Sequence, residues 1–299
     1  MRRICYLILA HADPKHFEKL VNAIDYKARF FVHVDAKTDI RDFQTLSLPD
    51  TLAFIKDRVC VSWGGISMID ATLRLIEHAL NSEEEFTHFV LLSGADYPIK
   101  KSSFIYETLS NNPEHQFIKF IDMRESSHYI NHVNIKWFKE PIVQTSNKIV
   151  RLIDKIVRNL GNRLKFHNSW DKSIIPYFGS QWWAITPCCA KYILDFIKRN
   201  PEYYIQNKFT FAPDEHFFHT IVGNSTYNEK SDGTHKYEGR GTWRMANLHL
   251  IDPSLTKWYS IKDWDKIKSS DKLFVRKLNS FVSDELTKMI DEKCLKPTV

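Results

Sequence analysis

The chain has 299 residues, 43% of them hydrophobic, and carries a formal net charge of +6. These values exclude a disordered or collagenous chain and leave room for one large domain or two small ones with a sizeable core. The basic excess suits an anionic ligand, but Lys and Arg are spread along the chain, which argues against a nucleic-acid binder. Five cysteines, odd in number and without C-x-x-C spacing, argue against a disulfide framework or a zinc site and fit a reducing cytosol.

The apolar run 3–10 predicts a buried strand; it is too short to span a membrane. Asp13-Pro14 opens a helix with Phe17, Leu20, Val21 and Ile24 on one face. Strands follow over 30–34 and 52–55, an amphipathic helix over 67–80, a strand over 86–92, a helix over 102–110 and a strand over 117–121. This alternation implies a mostly parallel sheet flanked by helices. Beyond Asp122 the pattern loosens. Residues 123–146 read as an irregular polar and aromatic segment, 148–160 as a helix, 179–185 as a strand entry and 187–198 as a helix. A short helix is expected over 214–222, a mobile loop over 224–237 and a charged helical region over 262–291. No repeat or convincing linker is visible, so residues 1–299 are read as a single domain. Its nucleotide-binding half is 1–122, and its acceptor-binding and catalytic half is 123–299.

Five segments carry candidate chemistry. The first, Leu91 to Ile99, is a buried strand that breaks at Ser93, Gly94, Asp96 and Pro98, and open α/β sheets bind ligands outside the carboxyl ends of their strands. Asp96 there either grips a sugar hydroxyl or caps the helix that follows. Trp63-Gly64-Gly65 precedes the helix at Ser67, where backbone amides favour an anion; a tight turn with a Ser67 cap is the alternative. Trp182 and Trp183 alternate across a strand, so one faces the core and the other a cleft. Pro213-Asp214-Glu215 reads either as an acidic helix start or as a general base, Glu215, aimed into a cleft. Arg276-Lys277, anchored by Leu273 and Phe274, either neutralises a diphosphate or forms a solvated basic face. An Asp-x-Asp match at Asp263 and Asp265 follows Ser260 by three residues and is favoured as a capping box over a metal site.

Together these segments resemble the core-2/I-branching glycosyltransferases, a family that includes the peptide O-xylosyltransferases. The matching stretches are Leu7 to His11, Phe31 to Asp35, Val61 to Gly65 with Ser67, Leu92 to Ile99, Gly179 to Trp183, Pro213 to Glu215 and Leu273 to Lys277, in the family's order. The resemblance implies a GT-A-like α/β fold, a UDP-sugar donor, inversion at the anomeric carbon and no need of a metal or other cofactor. It places the catalytic base at Glu215 and the diphosphate at Arg276 and Lys277. It sets Val34 and Asp35 by the uridine, Ser93, Asp96 and Tyr97 in the donor pocket with His11, Trp63 and Gly64, and Trp182, Trp183 and Asp214 near the sugar or acceptor. Residues often seen before the family's basic pair are replaced here by Asp252-Pro253, so a further phosphate contact falls to Lys257 or Arg244. The anchor, stem and luminal cysteines of the animal enzymes are missing. This points to a bacterial cytoplasmic enzyme, or one peripheral at the inner face of the plasma membrane, building surface polysaccharide or lipopolysaccharide on a glycan acceptor that is free or lipid-linked. N-acetylglucosamine is the first expected donor sugar and xylose the second. The rival readings are a carbohydrate-binding module that has lost catalysis and a basic nucleic-acid binder.

Overall fold

The computed structural model describes residues 2–296. In chain order the elements are β1 (Arg3–Ala10), α1 (Pro14–Ala23), β2 (Ala28–Val34), α2 (Arg41–Gln44), β3 (Leu52–Phe54), α3 (Ser67–Leu80), β4 (Phe86–Ser93), β5 (Asp96–Pro98), α4 (Ser102–Ser110) and β6 (Gln116–Asp122). There follow α5 (Ser127–Asn134), α6 (Lys148–Leu164), β7 (Tyr177–Gly179), β8 (Ala184–Ile185), α7 (Pro187–Arg199), α8 (Pro201–Asn207), α9 (Phe217–Gly223), β9 (Ser231–His235), β10 (His249–Ile251), α10 (Trp264–Lys268), β11 (Phe274–Arg276) and α11 (Asp284–Ile290).

The main sheet has the order β3-β2-β1-β4-β8-β6-β7, with β9 beside β6. Strands β1 to β4 are mutually parallel, while β8 runs antiparallel to both β4 and β6. Alternation along β1 explains why this sheet is covered on both faces. Ile4, Tyr6, Ile8 and Ala10 enter one core with α1, and Cys5 and Leu7 enter the other with α3 and α7. Burying each large apolar side chain contributes about 1.5–3 kcal/mol. This is a GT-A-like α/β arrangement, with a mostly parallel central sheet flanked by helices.

A second sheet, β10-β11-β5, crosses the main chain order and brings Phe274–Arg276 against Asp96–Pro98. It corrects the helical expectation for 262–291, because β11 is a three-residue strand inside that region. Two further expectations are corrected. Residues 224–237 contain a 3-10 turn and β9, which pairs parallel to β6. Residues 123–146 contain α5, whose Ser126 side chain accepts the Tyr129 N–H and whose Tyr129 ring stacks on Phe178 at 3.9 Å. Asp263 and Ser260 form the capping box.

Candidate active site

Three parallel strands end at one place. His11 follows β1, Asp35 follows β2 and Ser93 closes β4. All three line a cavity of about 590 Å³, which also takes in Trp63, Trp182, Asp214, Glu215, Lys257, Arg276 and Lys277. The carboxyl edge of the sheet is therefore one wall, and the second half of the chain supplies the other.

Arg276 is set by strand register. It stands opposite Asp96 on the antiparallel β11–β5 pair, and opposed residues share a face. Its Nη1 donates to Asp96 Oδ1 at 2.8 Å and to Ser93 Oγ, and its guanidinium carbon lies 4.2 Å from the Trp182 ring centre. Asp96 also accepts the Ser93 N–H at 2.7 Å and His249 Nε2–H at 3.2 Å. Burial alone would raise the Asp96 carboxyl; the charges of Arg276 and His249 and these hydrogen bonds hold it below its ordinary value. Asp96 thus orients Arg276 and neither touches the cavity nor caps α4, whose N-cap is Lys101. Lys277 makes no ion pair among the described residues. Partial burial, and then the neighbouring Arg276 charge, lower its pKa, with the Asp96 charge opposing them.

Glu215 ends the 3-10 turn Pro213–Glu215 that precedes α9. Its Oε1 accepts from Thr242 Oγ1 at 2.9 Å. Burial and then the adjacent Asp214 push its pKa up, despite the Thr242 hydrogen bond. Burial raises Asp214 as well. Asp214 Oδ1 and Gln181 Nε2 are buried and have no hydrogen-bond partner among the described residues, and both side chains lie on the cavity wall. Unpaired buried polar atoms are costly, so an acceptor and a donor placed there suit a ligand rich in hydroxyls. Trp63 stands at the rim, 74% exposed and edge-on to Phe211 at 6.0 Å.

Six expected contact residues do not line this cavity. Asp96 acts through Arg276, as described. Val34 is fully buried in the core beside α1, and only its neighbour Asp35 emerges. Tyr97 is buried, with its hydroxyl on Asp291 at 2.7 Å. Trp183 is fully buried, edge-on to Phe218 at 5.3 Å, so the paired indoles divide between core and cleft. Gly64, at φ +70°, shapes the turn before α3, and its carbonyl accepts the Ala212 N–H at 3.2 Å. Arg244 lies over Trp243 and lines a separate, smaller cavity with Tyr129, Phe178 and Tyr237. Lys257 does reach the main cavity, but its ammonium is paired with Asp263. The α3 N-terminus, expected to favour an anion, is occupied by a protein carboxylate: Glu140 accepts the Ser67 N–H at 2.9 Å and Ser67 Oγ–H at 2.7 Å.

His249, Gln181 and Thr242 were not anticipated. His249 and Asp96 are 153 residues apart, and no local spacing signals their meeting. Among the described residues no group of three or more His, Cys, Asp or Glu side chains is arranged to hold a metal ion, and all five cysteines are free.

The family described as Core-2/I-Branching enzyme matches residues 4–265. The chain belongs to that family. Its residue-level likeness is to a xylosyltransferase of Ciona intestinalis, 25% identical across 97% of this chain and 34% of the relative, and to human xylosyltransferase 2, 23% identical across 97% and 33%. Rat xylosyltransferase 1 is 24% identical over 75% of the chain. This branching-enzyme chain spans about a third of the length of the curated relatives it matches. Among solved structures, a 4-diphosphocytidyl-2C-methyl-D-erythritol synthase from Anaerococcus prevotii covers 78% of the chain and is itself covered to 86%, at 9% identity and TM-score 0.37. That likeness is too weak to bear on the fold.

Proposed function

We propose that this chain is a glycosyltransferase that moves a sugar from a UDP-sugar to a hydroxyl of a glycan acceptor, with inversion and without a metal ion. One observation carries the reading: Glu215, Arg276 and Lys277, far apart in sequence, line the same cavity. Glu215 takes the proton of the acceptor hydroxyl as the oxygen bonds to the anomeric carbon. The bond from that carbon to the diphosphate breaks on the opposite face, and the electron pair leaves with UDP. Arg276, fixed by Asp96, and Lys277, with no carboxylate partner among the described residues, face the growing negative charge. Fixed cations aimed at such charge are typically worth roughly 3–4 kcal/mol each in the barrier. Asp35 and His11 at the strand ends are assigned to the nucleoside, and Trp182, Gln181 and Asp214 to the transferred sugar.

N-acetylglucosamine remains the first donor, with a lipid-linked glycan of a surface polysaccharide as acceptor. The printed names of the relatives favour xylose as a second reading. A UDP titration with and without EDTA, followed by a donor screen for UDP release, tests the proposal. It expects metal-free UDP binding and turnover of one UDP-sugar. No affinity for UDP would instead favour a carbohydrate-binding module that has lost catalysis.

A further inference from the structure

Helix α6 is built inside out. Its only carboxylate, Asp154, is its only buried residue, and Asp154, Arg158 and Asn162 recur at four-residue spacing on the face toward the protein. Asp154 accepts the Ile142 N–H at 2.7 Å and pairs with Arg158 at 2.8 Å. Arg158 donates to the Lys139 carbonyl at 3.3 Å, and Asn162 Oδ1 accepts the Phe138 N–H at 2.7 Å. The opposite face carries Ile149, Leu152, Ile153, Ile156, Leu160 and Leu164, each 55–70% exposed. A soluble helix does the reverse.

We infer that α6 lies in the surface of an anionic lipid bilayer. The stripe is apolar enough to bury at an acyl boundary; Lys148 and Lys155 stand exposed along its edge, and Arg163 is exposed in the helix's last turn. The helix holds five cations against one carboxylate, and only Arg158 of the five is turned inward, paired with that carboxylate. Such a surface complements anionic headgroups and repels a second copy of itself. With 17 residues the helix is about 25 Å long, enough to lie along a membrane, and no helix among the described residues is long and apolar enough to cross one. The segment that α6 holds also reaches the proposed active site. Lys139 Nζ sits 4.7 Å from the Phe211 ring centre, beside rim residue Trp63, and Glu140 caps α3. Docking through α6 therefore brings the cavity rim to where a lipid-linked acceptor is found; this consequence rests on the transferase reading, whereas the docking itself does not.

Co-sedimentation of the full chain with phosphatidylglycerol–phosphatidylcholine vesicles, compared with pure phosphatidylcholine, tests it. At least tenfold stronger partitioning to the anionic vesicles is expected, falling steeply with salt. The double variant Ile153→Glu/Ile156→Glu, and separately Lys148→Glu/Lys155→Glu, should each lose tenfold or more while keeping the circular dichroism spectrum and UDP affinity of the parent. Equal partitioning of parent and both variants would overturn the inference, as would no binding to anionic vesicles. So would a parent dimer, seen by analytical ultracentrifugation, that becomes monomeric in the apolar variant without any vesicle binding. UDP affinity measured on the same samples keeps the two readings apart: its loss in the parent would defeat the donor assignment and leave the vesicle result standing.

Discussion

At the residue scale the proposed chemistry depends on two opposed environments, one in the cavity wall at Glu215 and one behind it at Asp96. Around Glu215, burial and Asp214 favour the proton; around Asp96, Arg276 and His249 remove it. As a base, Glu215 must be ionised, so kcat/KM should rise with pH through a midpoint above the ordinary glutamate value of about 4.3. In Glu215→Gln, turnover of the accepted donor should be lost at every pH along that limb. The same shift bears on stability. The folded chain holds the Glu215 proton more tightly than the unfolded chain, so its ionisation destabilises the fold as pH rises above the ordinary glutamate value. Thermal melts should therefore show Glu215→Gln gaining on the parent between pH 4 and pH 8; a constant gap would deny the raised pKa. Asp96→Asn removes the buried carboxylate that orients Arg276 and leaves that half-buried cation without its partner. A loss of about 3–5 kcal/mol in denaturant unfolding is expected, together with weaker UDP binding. Lys277→Ala should keep the fold and lower both UDP affinity and turnover, the latter by about 10²–10³-fold; an unchanged UDP titration would remove Lys277 from the site.

At the element scale, long regular segments were legible in the sequence and short ones were not. Strand β1 and helices α3 and α4 fall on the residues expected from apolar periodicity, because each carries enough turns or alternations for a period to be read. Strand β11 has three residues and therefore no period, and β9 is polar and largely exposed, so neither announces itself. Helix α5 is rich in Ser, His, Asn and Val, poor helix formers, and is held by packing on Phe178. These short elements position much of the site: β11 supplies Arg276, and α5 carries Tyr129, whose hydroxyl accepts the Gly241 N–H at 2.7 Å next to Thr242, the partner of Glu215. Strand β7 makes a further test. A Cβ added at Gly179 would lie 2.5 Å from the Lys119 carbonyl oxygen and 2.3 Å from the His219 ring, where the backbone has no room to give. Gly179→Ala should cost about 1–3 kcal/mol or more in unfolding free energy. A melt within error of the parent would mean that the β6–β7 contact is looser than described.

At the scale of the whole molecule, the arrangement that suits catalysis comes from long-range pairing. The strand-end residues His11, Asp35 and Ser93 could be placed from the βα alternation alone, because parallel strands deliver their carboxyl ends to one edge. The opposite wall could not be placed that way. Arg276 reaches Ser93 only because β11 pairs with β5, and Glu215 reaches the cavity only because its 3-10 turn aims it inward before α9 begins. Family likeness named these residues, whereas local pattern favoured an acidic helix start for Glu215 and a solvated basic face for Arg276 and Lys277. Val34, Tyr97 and Trp183 mark the limit of that likeness: a motif residue next to the cavity in sequence can still face the core. The most direct measurement is the rate of UDP release from the accepted donor by the parent and by Glu215→Gln, both in EDTA, with UDP affinity titrated in parallel. The proposed chemistry predicts full parental turnover, and a variant that binds UDP normally and transfers nothing. Turnover that stops in EDTA and returns with a divalent cation, or a variant that turns over at the parental rate, would contradict it.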